Sequence, residues 1–371
     1  MTRLDVLVSL DYYAPYVSGL TNVARDVAVG LAARGHRVRV LTSRHDRALP
    51  EREVLDGVEV ERAPVLARVG KGVVSPALVR RTRASAASAS VVNLHLPMPE
   101  AGLLTGVRTP LVTTYHCDVS LPPGLVNRVQ TAGVDAASRR ALRRSHAVVV
   151  SSDDYARHSR LWPAMAERTA VVPPPCRPRT GGVPRFRDGA GPHIGFLGRI
   201  VEEKGLQYLV RAVRALPDPA VRLLIAGDFA DVAGGSVVEE VRRLAGEDSR
   251  IRLLGFLPEE QIPDLYASLD VFALPSVNSF EAFGIVQVEA MMSGVPVLAS
   301  DLPGVRTPVR ETGFGVVVPP RDVAAITAGL QQLTAAPLDR DTGSARARER
   351  YAFSSVLDAY EAVFTEAAAR R

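Results

Sequence analysis

Glu281-Ala-Phe-Gly-Ile-Val-Gln-Val-Glu289-Ala-Met-Met-Ser-Gly294-Val-Pro-Val297 constrains both the fold and the chemistry of this chain. The segment predicts a helix over Gly284–Ser293 that leads into a strand over Val295–Ala299. Glu281 falls in the loop before that helix, and Glu289 about two turns inside it. Between them, Phe283, Gly284, Ile285 and Val286 offer backbone N–H groups at the helix start. Those groups have no partner within the helix, and the positive end of the helix dipole favours an anion such as a diphosphate.

Working outward, apolar strands alternate with helical periodicity twice along the chain. In the first half the strands are Arg3–Leu10, Arg37–Thr42, Val91–Leu96, Leu111–Tyr115 and Ala147–Ser151, with a helix at Asn22–Arg34 closed by Gly35. In the second half they are His193–Leu197, Arg222–Ala226, Ile251–Leu254, Val271–Leu274, Val295–Ala299 and Gly315–Val318. The helices between them lie near Gly205–Ala215, Val237–Leu244, Glu259–Ala267, Gly284–Ser293 and Val323–Leu333. Such alternation predicts an α/β fold with doubly wound parallel sheets. Pro173-Pro-Pro-Cys-Arg-Pro-Arg-Thr-Gly-Gly-Val-Pro184 breaks all periodicity and reads as a connection between domains. The expected organisation is a Rossmann-like domain over residues 1–175, a linker over 176–191, a second Rossmann-like domain over 192–350, and a helix over 351–371 that folds back on the first. Two facing domains of this kind would leave a cleft lined by the carboxyl ends of their strands.

Composition fits an enzyme with two cores: 371 residues, 47% hydrophobic, and a mean hydropathy of +0.08. No apolar run reaches the roughly 18 residues of a membrane span, and the amino terminus runs straight into a strand, so a cytoplasmic location is expected. Cys117 and Cys176 are far apart and lack metal-ligand spacing, which suggests neither a disulfide framework nor a zinc site. The net charge of +5 leaves room for a polyanionic or membrane-surface partner. Lysine usage is more pointed, since only Lys71 and Lys204 interrupt the preference for arginine. Lys204 sits in Gly198-Arg199-Ile-Val-Glu-Glu-Lys204-Gly205, directly after a strand, where a compact ammonium could lie between phosphate oxygens.

These motifs resemble the donor-binding domain of retaining GT-B glycosyltransferases of family 4, the sucrose-synthase-like and mannosyltransferase-like group. The carriers are Gly198-Arg199-x4-Lys204-Gly205, Gly227-Asp228, Leu254-Gly-Phe-Leu257, Pro275-Ser276, Glu281-x7-Glu289, Ala290-Met291 and Gly294-Val-Pro-Val. The first half resembles the acceptor domain through Gly19, Arg34-Gly-His36 and Tyr115-His-Cys-Asp118. The resemblance implies a GT-B architecture and transfer of a hexose-like sugar from a nucleoside-diphosphate donor to an acceptor hydroxyl, with retention. It implies that Arg199 and Lys204 neutralise the leaving diphosphate, aided by the N–H groups of Phe283, Gly284, Ile285 and Val286 and by Gly19. Glu289 would then hold the ribose and Glu281 the transferred sugar, with Gly227, Phe256 and Leu257 completing the donor site. His116 would face the sugar and the acceptor, with Asp118 beside it in the catalytic set.

The chemistry supports these roles, because breaking a sugar–phosphate bond builds negative charge on the diphosphate that a cation must stabilise. Arg199 and Lys204 supply it without a metal. The only Asp-x-Asp, Asp339-Arg-Asp341, lies away from any strand end, so neither a metal nor a resident cofactor is expected. His36 reads as structural. His95, at a strand's end, fits either a cleft residue or a hydrogen-bonded strand histidine. The chain departs from the family at Tyr16-Val-Ser18-Gly19, where a Gly-Gly pair is usual, and at Pro173-Pro-Pro-Cys-Arg177, where Pro-x-Gly is usual.

A nicotinamide-dependent dehydrogenase is disfavoured because no Gly-x-Gly-x-x-Gly follows the first strand. A non-catalytic sugar-nucleotide-binding protein and a UDP-sugar epimerase are weaker rivals. The expected partners are a nucleotide sugar and an acceptor, with no nucleic acid. Arg139, Arg140, Arg143 and Arg144 at helical spacing, with Arg80-Arg81-Thr-Arg83, suit a solvated face. They also suit weak contact with an anionic membrane surface, as in a peripheral transferase acting on a lipid or cell-envelope acceptor.

Overall fold

Strands covered on both faces read as continuous apolar runs, and the first strand, Asp5–Ser9, is buried at four of its five positions. The computed structural model describes residues 3–69, 72–121, 124–228 and 236–370. Lys71 lies outside the described residues. The chain divides into two units: Met1–Pro175 with Phe353–Arg371, and Cys176–Ala352.

The first unit contains, in chain order, β1 (Asp5–Ser9), β2 (Arg37–Arg44), β3 (Arg52–Leu55), β4 (Val58–Pro64), β5 (Ala67–Val69), β6 (Gly72–Val74), β7 (Val91–Leu96), β8 (Leu111–Tyr115), β9 (Ala147–Val150) and β10 (Thr169–Val171). Eight of these form one sheet in the order β10-β9-β8-β7-β1-β2-β4-β3. It is parallel except for the β3–β4 hairpin, while β5 and β6 make a separate antiparallel pair. The parallel core matches the expected fold class. The two hairpins and the edge strand β10 are additions to it.

Helix Phe353–Ala369 belongs to this unit. It presents buried Val356, Leu357, Tyr360, Phe364 and Ala367 along one face, and burying side chains such as Val356, Leu357 and Phe364 stabilises by about 1.5–3 kcal/mol each. Its docking depends on Gly30 in helix Gly19–Ala33, where an added Cβ would come within 2.5 Å of Leu357. Arg34 Nη1 donates to Glu361 Oε2 at 3.0 Å, and His36 Nε2 lies 3.2 Å from Glu361 Oε1. The Leu4 N–H donates to His36 Nδ1 at 3.1 Å, so His36 ties the start of β1 to the last helix.

The second unit contains β11 (His193–Leu197), β12 (Arg222–Ala226), β13 (Ile251–Gly255), β14 (Val271–Leu274), β15 (Val297–Ser300) and β16 (Gly315–Val318), all parallel, in the order β13-β12-β11-β14-β15-β16. That order reverses direction between β11 and β14. In open α/β sheets ligands bind beyond the carboxyl ends of the strands at such a reversal. Helix Leu206–Ala215 covers one face of the sheet with Leu206, Leu209, Val210 and Val213, all fully buried.

The proline-rich segment after Pro175 forms no strand or helix, yet it is not a free tether. The Val183 N–H donates to Asp264 Oδ1 at 2.9 Å and the Phe186 N–H to Ser268 Oγ at 3.1 Å. A Cβ on Gly182 would meet the Pro263 backbone at 2.1 Å. The linker expected over 176–191 is therefore fastened along the second unit. Composition correctly excluded regular structure there but said nothing about these side-chain anchors.

Candidate functional site

In the second unit the loops after β11, β12 and β13 are laced together by backbone hydrogen bonds. The Gly198 N–H donates to Ala226 O at 3.0 Å, Gly227 N–H to Gly255 O at 2.8 Å, and Ile200 N–H to Asp228 O at 3.0 Å. This packing requires glycine at residue 227, whose φ is +151° and where a Cβ would fall 1.7 Å from Gly198 O. Phe256 and Leu257 follow directly, Phe256 being 72% exposed and Leu257 buried.

Arg199 follows β11, with its side chain 42% exposed and Nη2 3.6 Å from Glu203 Oε1. Lys204 closes the same loop just before Gly205, which has φ +67° and leaves no room for a Cβ against Pro275 O. Across the strand reversal, Lys204 Nζ pairs with Glu281 Oε2, both side chains being largely buried. Lys204 and Glu281 thus neutralise one another here, where the sequence assigned them separate partners.

Glu281 precedes helix Ile285–Met292, whose N-cap Gly284 has φ +82°. A Cβ on Gly284 would meet Leu274 at 2.4 Å, so the helix is pressed onto the end of β14. Ile285 and Val286 open the first turn with N–H groups that lack a helical partner, and Phe283 is buried beneath them. The expected helix start shifts by one residue. Glu289 then stands just over one turn inside, closer to the amino end than the two turns expected.

Glu289 is 6% exposed. Arg179 Nε donates to its Oε1 at 3.1 Å, and the Tyr266 hydroxyl lies 3.4 Å from Oε2. Burial pushes the Glu289 carboxyl up to about 7, against the opposing pull of the Arg179 guanidinium. Arg179 also pairs with Glu259. Sequence reasoning missed Arg179 and Tyr266. Arg179 sits in the aperiodic segment, where the one available signal was a basic residue among prolines and glycines.

In the first unit, Gly19 is the first residue of helix Gly19–Ala33, capped by Ser18. The Ser18 hydroxyl accepts from the Thr21 N–H at 3.2 Å, and Thr21 Oγ1 accepts from the Ser18 N–H at 2.8 Å. Ser18 is extended, with φ −155°, so the position where the resemblance leads one to expect glycine needs no left-handed conformation here. A Cβ on Gly19 would meet no heavy atom within 4 Å.

His116 follows β8 and is partly exposed. Its Nε2 lies 2.9 Å from His95 Nδ1, and His95 Nε2 lies 2.8 Å from Asn93 Oδ1. Both imidazoles are held well below the ordinary histidine range by desolvation, His116 down to about 3. His95 lies within β7, not after it, and is 1% exposed.

Asp118 has a different occupation from the catalytic one expected. It is buried, and its Oδ1 accepts from the Tyr115 hydroxyl and from Ser159 Oγ at 2.8 Å, while its own N–H donates to the Tyr155 hydroxyl at 2.8 Å. Asp118 fixes the loop that carries His116. Spacing from His116 could not show this, because two of the partners, Tyr155 and Ser159, come from the later helix Asp153–His158 and its C-cap. Asp339 N-caps helix Arg340–Tyr351, accepting from the Asp341 and Thr342 N–H groups, which accounts for the Asp-x-Asp. Among the described residues no helix is long and apolar enough to cross a membrane.

Comparison with known proteins matches these two regions to known families. Residues 186–350 match the family of glycosyl transferases group 1, and residues 18–175 match the glycosyl transferase 4-like domain. A 2-deoxystreptamine glucosyltransferase of Streptomyces kanamyceticus is 31% identical over 64% of this chain and 66% of that protein, just under two thirds of its length. A phosphatidyl-myo-inositol mannosyltransferase of Mycobacterium leprae is 29% identical over 98% of this chain and 97% of that protein. A D-inositol 3-phosphate glycosyltransferase of Xylanimonas cellulosilytica is 32% identical over 76% of this chain and 73% of that protein. Among solved structures, sucrose-phosphate synthase of Thermosynechococcus elongatus aligns with TM-score 0.76 at 20% identity, covering 98% of this chain and 97% of that one. HepE of Anabaena in complex with UDP-glucose aligns with TM-score 0.73 at 20% identity, covering 98% of this chain and 100% of that one. The chain belongs to the glycosyl transferases group 1, of the family 4 type, and is a glycosyltransferase.

Proposed function

We propose that this glycosyltransferase moves a hexose-like sugar from a nucleoside-diphosphate donor to an acceptor hydroxyl, with retention of configuration and without a metal. The observation that carries the reading is the pairing of Lys204 and Glu281 across the strand reversal, beside the open first turn of helix Ile285–Met292. A diphosphate seated there gains the helix dipole, first-turn N–H groups and the Arg199 and Lys204 cations, all of which stabilise charge developing on a leaving group. Lys204 would exchange Glu281 for phosphate oxygens, freeing Glu281 to hold sugar hydroxyls. Glu289, further along the same helix, would accept from the ribose, and Phe256 would lie by the base. His116, which desolvation favours in the neutral form and which pairs with His95, would orient a substrate hydroxyl, leaving the departing phosphate to take the acceptor's proton.

For the acceptor we infer a cyclitol hydroxyl. The named acceptors of three relatives, 2-deoxystreptamine, D-inositol 3-phosphate and a phosphatidyl-myo-inositol, share a polyhydroxylated six-membered carbocycle. One observation favours a lipid-borne version. Leu125, Val126 and Val129 are 78%, 69% and 66% exposed at the start of helix Leu125–Arg144, which also carries Arg139, Arg140, Arg143 and Arg144. Arg140 is tethered to Thr105, so part of that basic face is occupied internally. Cosedimentation with anionic vesicles, lost on replacing the three apolar residues by serine, would favour the lipid acceptor. Absence of vesicle binding would leave the soluble one.

The primary test is thermal shift of the purified chain with UDP, GDP, ADP and their sugar conjugates, repeated with EDTA. Ligand binding to the native state raises stability according to concentration over dissociation constant. A shift with one diphosphate, unchanged by EDTA, is expected. A shift abolished by EDTA would overturn metal independence, and no shift with any nucleotide would overturn the donor site.

A further inference from the structure

We propose that Asn93 and His95 form a buried relay that dictates the tautomer of His116, leaving its Nδ1 as a bare hydrogen-bond acceptor toward substrate. The substrate part of this inference rests on the glycosyl-transfer reading above. The relay itself stands on geometry within the first unit.

The direction of each hydrogen bond follows from the one before it. Asn93 Nδ2 lies 3.2 Å from the Val112 carbonyl, which can only accept, and 3.0 Å from Thr114 Oγ1. The Asn93 amide is thereby oriented, and its Oδ1 faces His95 Nε2 at 2.8 Å. An amide oxygen only accepts, so His95 Nε2 carries the proton. A neutral imidazole has one N–H, so His95 Nδ1 is a lone pair. His116 Nε2, 2.9 Å away, must therefore donate to it. By the same count His116 Nδ1 holds no proton.

The environment enforces this pattern. Asn93 and His95 are 0% and 1% exposed, within a strand buried at every position. Reversing one bond would leave two donors or two acceptors facing each other, and in such surroundings an unpaired polar atom is costly. Desolvation keeps both rings neutral. His116 is partly exposed as a residue, and among the described residues its Nδ1 has no hydrogen-bond partner. Asn93 and His95 are positioning residues: they touch no substrate and act through His116.

The test has two arms. Long-range nitrogen–proton correlation spectra of the wild-type chain, labelled with 15N-histidine, report which ring nitrogen is protonated at pH 7. Protons on Nε2 of both His95 and His116 are expected. A His116 proton on Nδ1, or a charged ring at either position, overturns the relay. In the second arm, His95→Phe removes the acceptor, while His95→Asn can place an amide oxygen where Nδ1 was. His95→Phe should lower kcat about tenfold or more with the donor KM nearly unchanged, and His95→Asn should recover most of the loss. Wild-type turnover by His95→Phe, or equal loss in both variants, overturns the positioning role. If the wild-type chain transfers no sugar from any donor, the transferase reading falls, and the spectra still decide the relay. Circular dichroism melts of both variants separate misfolding from loss of position.

Discussion

Around His116, in the first unit, the short contacts join neutral groups: an amide, two imidazoles and a backbone carbonyl. Around Glu281 and Glu289, in the second unit, they join ionisable groups: the Lys204 ammonium, the Arg179 guanidinium and two carboxyls. A neutral chain of donors and acceptors fixes direction, and burial makes reversal costly. A cluster of charges fixes strength, and it responds to whatever charge enters. The difference suits a group that orients a hydroxyl in one place and a set that accommodates a dianion in the other.

The comparison can be broken most sharply at Lys204. Lys204→Ala should lower turnover by about 10²–10³-fold, the usual cost of removing one stabiliser of developing negative charge. The melting temperature should fall as well, though far less than turnover, because the largely buried Glu281 carboxylate loses its partner. Parallel transfer and melting assays check this, and near-normal turnover would show that Lys204 does not serve the leaving group.

Gly30→Val tests the first unit alone. Its added side chain must displace Leu357 of the last helix. A loss of about 1–3 kcal/mol in stability is expected, as for other overpacked contacts, with nucleotide affinity unchanged. Denaturant melts beside calorimetric titration distinguish this from a donor-site defect.

Glu289 should supply the pH dependence. Its carboxyl, raised to about 7, must ionise to receive ribose hydroxyls. Nucleotide affinity should therefore weaken about tenfold per pH unit well below 7 in the wild type, and much less in Glu289→Gln. For the ligand-free protein the sign is opposite. A raised carboxyl contributes stability that is fully present below the unfolded value near 4.5 and lost as pH rises through about 7. Stability relative to Glu289→Gln should therefore decline across that window. Titrations and melts from pH 5 to 8 test both slopes.

The smallest effect is expected at Phe256, which is 72% exposed. Phe256→Ala should leave stability within about 0.5 kcal/mol while weakening nucleotide binding a few-fold. Unchanged affinity would remove it from the donor site.

Much of the second unit's candidate site was legible because most of its residues lie in the loops and helix start beyond strand ends, where a short motif is also a position in space. Gly198, Lys204, Glu281 and Glu289 needed only the order of strands to be placed. Asn93 was not legible. It sits in an apolar strand, and its partners come from the adjacent β8. One signal was available and unused: an amide and a histidine interrupting an otherwise apolar run, Val91-Val-Asn-Leu-His-Leu96, are costly unless paired. The β3–β4 hairpin was likewise signalled by Asp56-Gly57, both with positive φ, between alternating residues. Arg179 had no comparable signal, because the anchors of an irregular segment are tertiary.

The first unit is discontinuous: its closing helix, Phe353–Ala369, is encoded after the whole of the second unit. On a ribosome adding about 5–20 residues per second, residues 3–175 would wait roughly 10–35 s for the helix that covers Gly30 and pairs with Arg34 and His36. During that interval the apolar face destined for Leu357, Tyr360 and Phe364 stays uncovered, while residues 176–352 already hold everything their own core requires. The nascent chain is thus expected to mature out of sequence, with residues 176–352 able to settle before the first unit acquires its closing helix.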